Sequence, residues 1–291
     1  MESFILQNGS SRLVVAAQGA CVLDFKVDDT PILKSRNLDS IKGTALLATQ
    51  SACFPMAPFA NRIRDNQLNL AAKKLSLPTH QADPEYFLHG NAWLKCWQLV
   101  SCTQSELTLE LRSNTPEELS YHATICYRLS HRSLNIELSL ENTAKHAVPI
   151  NLGLHPFFVK ERGDSLQMSC AGYWPQDQAY MPLEFSSAVP SWKNFSQAMP
   201  IPNRFINNGF LLNEAKVQLF SPSRAIKLTC SSNSLQWVVY QPQFEANGRE
   251  SEFICIEPQQ YEIDAQTRGS AAMINTGERA SVSLLIGVEQ L

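Results

Sequence analysis

Apolar and polar residues alternate with a period of two along much of the chain. Leu107, Leu109 and Leu111 follow this spacing in ELTLELRS, Ile125, Tyr127 and Leu129 in ICYRLS, and Leu134, Ile136, Leu138 and Leu140 in SLNIELSLEN. Successive side chains of a strand point to opposite faces, so the pattern predicts three half-buried strands in succession. The connections, SNTPEELSYH and SHRS, are short and polar, as in an antiparallel meander. The same reading extends to RLVVAA (12–17), VLDFKV (22–27), KVQLF (216–220), AIKLTC (225–230), LQWVVYQ (235–241), FICIE (253–257) and ASVSLLIGV (280–288).

Helical signal is thin. TPEEL reads as a turn, and DSIKGTALLATQSA (39–52) spaces its apolar residues three to four apart but lacks a clear cap. Many of the sixteen prolines, including Pro55, Pro58, Pro149, Pro156, Pro242 and Pro258, are expected to stop strands, because proline cannot donate to a ladder. Residues 160–215, rich in Pro, Ser, Asn and Gln, are expected to be loops over one end of the fold. The prediction is an all-β protein, a large sandwich of antiparallel sheets, with residues 1–291 as one domain. Length alone also allows two closely packed halves.

Composition narrows the function. With 44% hydrophobic and 18% charged residues, the chain can bury a large core. Net charge is −3, and no run of four Lys or Arg occurs, so the footprint of a nucleic-acid or anionic-membrane binder is missing and a neutral ligand fits better. MESFILQNGSSRLVV has no basic region ahead of an apolar one, and no stretch approaches the roughly 20 apolar residues a membrane span needs. A cytoplasmic protein is expected. Eight cysteines (21, 53, 96, 102, 126, 170, 230, 255) form no CxxC pair and read as reduced, structural thiols.

Four stretches place polar or ionisable residues among apolar and turn-forming ones: CFPMAPFANRIRD (53–65), YFLHGNAWLKCW (86–97), INLGLHPFF (150–158) and FICIEPQQYEID (253–264). Glu257 ends an apolar run, where burial would raise its pKa and a cation would lower it, unless it simply reaches solvent there. His155 lies between Leu154 and Pro156 in an apolar run. Imidazole exchanges protons near neutral pH, although a lone His in such a run is more often a satisfied core residue. His89 precedes Gly90, with Trp93 and Trp97 close behind: either a glycine-assisted approach to a ligand with an indole to stack on it, or a turn with core tryptophans. Asn61 and Arg62 bring an amide and a guanidinium, both good donors to hydroxyl oxygens, with a surface or structural Arg an equally open reading. Arg64 and Asp65 read as a surface pair.

The six histidines (80, 89, 122, 131, 146, 155) and eight cysteines show no HxH, HExxH or CxxC spacing, so no metal is expected. GxSxG, GxGxxG and GxxxxGK[ST] are also absent, and no cofactor is expected. Acid–base chemistry on an uncharged ligand remains.

Taken in order, PFANRI, LHGNAW, LGLHPFF and FICIEP, with the closing GERASVSLLIGV, resemble the aldose 1-epimerase (galactose mutarotase) family, particularly its shorter bacterial members. The resemblance spans nearly the whole chain and implies a β-supersandwich. It also implies that Glu257 takes the proton of an anomeric hydroxyl while His155 protonates the ring oxygen, opening the ring, with the roles exchanged on closure. His89 and Arg62, with Asn61 beside them, look like the family's sugar-binding residues. Asn207, in INNGF, stands where longer members carry an Asp, and loses the stronger bonds a carboxylate makes to hydroxyls. The phosphate-binding motifs of related hexose-6-phosphate epimerases find no match. The resemblance therefore implies a free aldohexose such as glucose or galactose, and a monomer or homodimer. Two rival readings stand beside it: a non-catalytic carbohydrate-binding or sensing module on the same fold, and a lyase or glycoside hydrolase. The last would need a second carboxylate, and Glu262 and Asp264 are expected to face solvent instead.

Overall fold

The computed structural model describes residues 2–34, 50–70, 73–79, 83–114, 116–245 and 248–291. Among these, two large sheets dominate, and every strand pair within them is antiparallel. The nine-stranded sheet holds most of the regularly alternating segments, in the order Met199–Pro200, Ser165–Gln167, Lys216–Ser221, Ile226–Ser231, Arg279–Gln290, Ser133–Asn142, Tyr121–Ser130, Glu106–Ser113 and Gln98–Cys102. Ser133–Asn142 buries every second residue, as a strand with one face in the core must.

The ten-stranded sheet has a different character. Its path runs Ser3–Asn8, Ser11–Ala16, Val22–Val27, Cys53–Met56, Gly153–Val159, Phe253–Gln259, Gln236–Gln241, Ile206–Leu212 and Cys170–Tyr173, with Thr30–Pro31 pairing beside Val22–Val27. Its central strands are buried on both faces. Phe158, Ile254 and Ile256 join the main core shared with the other sheet, whereas Phe54, Phe157 and Cys255 join a second cluster with Trp93 on the opposite face. A strand covered on both sides shows no alternation, which is why Cys53–Met56 and Gly153–Val159 carry no periodic signal.

Two expectations are corrected. Prolines do not end the central strands: Pro55, Pro156 and Pro258 lie within Cys53–Met56, Gly153–Val159 and Phe253–Gln259. Between the last two strands the register is made at Gly153–Gln259 and resumes at Phe157–Cys255, so the ladder skips the stretch containing Pro156 and Pro258 and needs no donor there. Residues 160–215 are not all loops, since Cys170–Tyr173 and Ile206–Leu212 close the ten-stranded sheet. TPEEL does form a short turn, the 3-10 segment Glu117–Leu119. The helical signal at 39–52 falls mostly outside the described residues. The only α-helix among them is Ala265–Arg268, and no helix is long and apolar enough to cross a membrane.

Candidate active site

The gap in the ladder is where two of the candidate residues meet. The registers on either side place His155 opposite Glu257, both on the sheet face that carries Phe157 and Cys255. His155 Nε2 lies 3.3 Å from Glu257 Oε1, and the two residues are 7% and 1% exposed. The imidazole packs against the Phe54 ring (centroids 4.6 Å apart) and the Phe157 ring (4.7 Å), so little water can solvate a charge on it. Burial pushes the Glu257 carboxyl up from 4.5 to about 8, opposed by a hydrogen bond from Gln259 and by the Arg62 charge. It pulls the imidazole down from 6.5 to about 3. Both shifts disfavour the charged forms, so the shared proton is favoured on the carboxyl over the imidazole. The pair is therefore close enough for an ion pair yet favours the neutral tautomer.

Gln259 shares the strand face of Glu257, two residues on, and its Nε2 donates to Glu257 Oε2 at 3.3 Å. Nothing in the sequence singled it out except this spacing of two. His155 Nδ1 is buried with no hydrogen-bond partner among the described residues.

A second wall comes from the 57–65 and 89–97 segments. Asn61 and His89 both adopt left-handed backbone, with φ of 65° and 60°. The Asn61 N–H donates to His89 Nδ1 (3.1 Å) and the His89 N–H to the Asn61 carbonyl (3.0 Å), so each turn holds the other. Because Nδ1 accepts, a neutral His89 carries its proton on Nε2 and presents a donor there. Asn61 Oδ1 accepts from the Arg62 N–H (3.0 Å). Gly90 is required: with φ +68°, its Cβ would stand 2.1 Å from the Ala57 carbonyl oxygen.

Arg62 is held by several partners. Its Nη2 pairs with Asp83 Oδ2 at 3.1 Å, its guanidinium lies over the Tyr86 and Tyr180 rings, and its Nε is buried without a partner among the described residues. Asn207, on Ile206–Leu212, is paired in register with Tyr240. These walls enclose a cavity of about 310 Å³. All six residues singled out in the sequence line it: Asn61, Arg62, His89, His155, Asn207 and Glu257. Trp93 lines it too, stacked on Phe54, whereas Trp97 is a core residue, so the two tryptophans divide between the two readings. Tyr240, Phe253 and Asp83 were missed, Asp83 because it lies outside every patterned segment.

Two further expectations change. Asp264 does not face solvent: it is fully buried and accepts from the Arg64 N–H (2.9 Å) and Nε (3.3 Å). Arg64 thus pairs with Asp264 rather than with Asp65. Donor atoms of His155, Cys255 and Glu257 lie within 4.8 Å of one another, a trio that could hold a metal ion and that no linear spacing would reveal. All eight cysteines are free.

The described residues thus build a two-sheet antiparallel β fold whose larger sheet carries a buried carboxylate–imidazole pair lining one pocket. The family model for aldose 1-epimerase matches residues 2–287, and the chain belongs to that family. It is 28% identical over 300 residues to the uncharacterized protein YphB of Escherichia coli (strain K12), covering 100% of both chains. A solved Escherichia coli K12 structure described as a candidate aldose 1-epimerase superposes with a TM-score of 0.90 at 27% identity, over 100% of this chain and 99% of that one. The galactose 1-epimerase of Lactobacillus acidophilus NCFM shares the fold, with a TM-score of 0.83 at 19% identity over 98% and 93% of the two chains.

Proposed function

We propose that the chain is an aldose 1-epimerase that interconverts the α and β anomers of a free aldohexose, such as glucose or galactose, by opening and reclosing the sugar ring. The observation that carries this reading is the 3.3 Å separation of His155 Nε2 and Glu257 Oε1 within one cavity. Ring opening removes a proton from one oxygen and adds one to another, and both oxygens are bound to the same carbon. A single acid and a single base must therefore act side by side, and a buried pair sharing one proton supplies both.

In this mechanism the sugar's hydroxyls and the Arg62 charge favour the ionised tautomer of the pair. Glu257 then takes the anomeric proton while His155 protonates the ring oxygen; rotation about C1–C2 and reclosure with exchanged roles give the other anomer. Arg62, His89 Nε2, Asn61 and Asn207 hold the hydroxyls. No cofactor or metal takes part, the whole chain acts as one domain, and the eight free thiols support a cytoplasmic setting.

The test is α-D-glucose and α-D-galactose mutarotation, followed by polarimetry or NMR exchange, for wild type and folded Glu257→Gln and His155→Asn variants. Acceleration over buffer, reduced at least about a hundredfold by either change, is expected from loss of an acid–base partner. Intact sugar binding with no acceleration on a broad aldose panel would instead make the chain a carbohydrate-binding module.

A further inference from the structure

The cavity is small, about 310 Å³, at the lower end of the roughly 300–1,000 Å³ usual for ligand pockets. It does not end in bare polar rim. An aromatic path leads out of it: the Phe253 and Tyr240 rings lie 6.4 Å apart on its wall, Phe205 lies 6.3 Å beyond Tyr240, and Tyr180 5.6 Å beyond Phe205. Exposure rises along the path, from 6% at Phe253 to 44% at Phe205 and 41% at Tyr180. Arg62 joins the far end to the pocket, since it lines the cavity and its guanidinium lies 5.4 Å from the Tyr180 ring.

Exposed aromatic rings on loops usually move with the loop, and the backbones that carry these two are fastened. Tyr180 projects from a turn with φ 61°, tied by Asp177, whose Oδ1 accepts from the Ala179 and Met181 N–H groups at 2.9 and 3.0 Å. The loop before Phe205 is tied by Gln241, a fully buried side chain whose Nε2 donates to the Pro202 and Arg204 carbonyls at 2.6 and 2.9 Å. Holding an apolar ring rigid and wet has a cost in solvation with no gain in core packing, and it lowers the entropy lost when a flat partner binds.

We propose that Phe205, with the Tyr180 ring tilted 51° beside it as a side wall, forms a stacking platform for a second sugar ring, and that the protein prefers aldoses extended at the rim, disaccharides with a free reducing end, over a lone hexose. The reducing ring occupies the cavity, and the apolar face of the next ring lies on the platform. A second ring is the occupant that fits, because the surface joins the pocket through Arg62 and offers ring faces beside a guanidinium and a carboxylate, Asp83, that can bond hydroxyls. This inference rests on the epimerase reading, which fixes the reducing end in the cavity.

The probes are maltose, lactose and glucose, with anomer exchange at the reducing end followed by NMR. With wild type, kcat/KM for maltose or lactose is expected to exceed that for glucose by about tenfold, the scale of two aromatic contacts. Phe205→Ala is expected to lower the disaccharide-to-glucose ratio about fivefold, and Phe205→Trp to restore it. A ratio near one in wild type, or one that Phe205→Ala leaves unchanged, overturns the platform while leaving the epimerase intact. If no sugar is turned over, the epimerase reading fails, and the platform is judged by saturation-transfer NMR on maltose. Contact to the non-reducing ring that Phe205→Ala abolishes supports it, and absence of that contact overturns it.

Discussion

Replacing Glu257 by Gln is expected to change how the fold responds to pH as well as to stop the reaction. In the unfolded chain the pair titrates at 4.5 and 6.5; in the folded one the carboxyl is moved up to about 8 and the imidazole down to about 3. Between pH 4.5 and 6.5 both states hold one proton on the pair, and stability does not depend on it. Above 6.5 the unfolded pair is empty, while the folded one keeps its proton on Glu257 until about pH 8. Folding is then coupled to proton uptake, so stability falls as pH rises through this window and levels off above it. At about 1.4 kcal/mol per pH unit for one proton, the loss comes to about 2 kcal/mol. In the variant the substituted amide cannot titrate, and His155, with its pKa lowered, contributes no slope above its unfolded value. Urea unfolding of both proteins at about pH 6, 7, 8 and 9, taken as the difference between them, cancels every other group. The wild type should lose about 2 kcal/mol relative to the variant by about pH 9. Parallel curves would refute the argument, since they would mean that the Glu257 proton leaves at an ordinary carboxylate pKa despite burial.

Two further outcomes follow from the geometry. Gln259→Leu removes the hydrogen bond that lowers the Glu257 pKa, so the alkaline limb of kcat/KM should move to higher pH while activity near neutral pH drops about tenfold; an unmoved limb would deny Gln259 its positioning role. Gly90→Ala should destabilise the fold by about 2 kcal/mol or more in urea, because a Cβ there meets the Ala57 carbonyl at 2.1 Å on a left-handed backbone; an unchanged midpoint would count against that turn.

How much the sequence revealed depended on how each element is buried. Strands with one wet face, such as Ser133–Asn142, were legible because burial alternates along them. The strands that carry His155 and Glu257 were legible only in part, since dry on both faces they show apolar runs, and their prolines read as stops. The candidate residues were legible through residue chemistry and family resemblance, but their partners were not. Asp83 reaches Arg62 across 21 positions of sequence, and Asp264 reaches Arg64 across 200, so no local pattern could announce either contact. Tyr180 and Phe205 sit in the least regular part of the chain, where side-chain purpose is set by loop anchors far away in sequence.

The skipped ladder between Gly153–Val159 and Phe253–Gln259 has a consequence for how such a protein can diversify. The two side chains of the proposed acid–base pair hang from neighbouring backbones clamped at both ends, by Gly153–Gln259 on one side and Phe157–Cys255 on the other. Their spacing is therefore inherited from strand register rather than from any loop. The segments bearing Tyr180, Phe205 and Asp83 lie outside that register, so in the proposed enzyme they can be lengthened, exchanged or recharged without displacing the acid–base pair. Ligand choice and bond chemistry are thus free to evolve as separate modules within one chain.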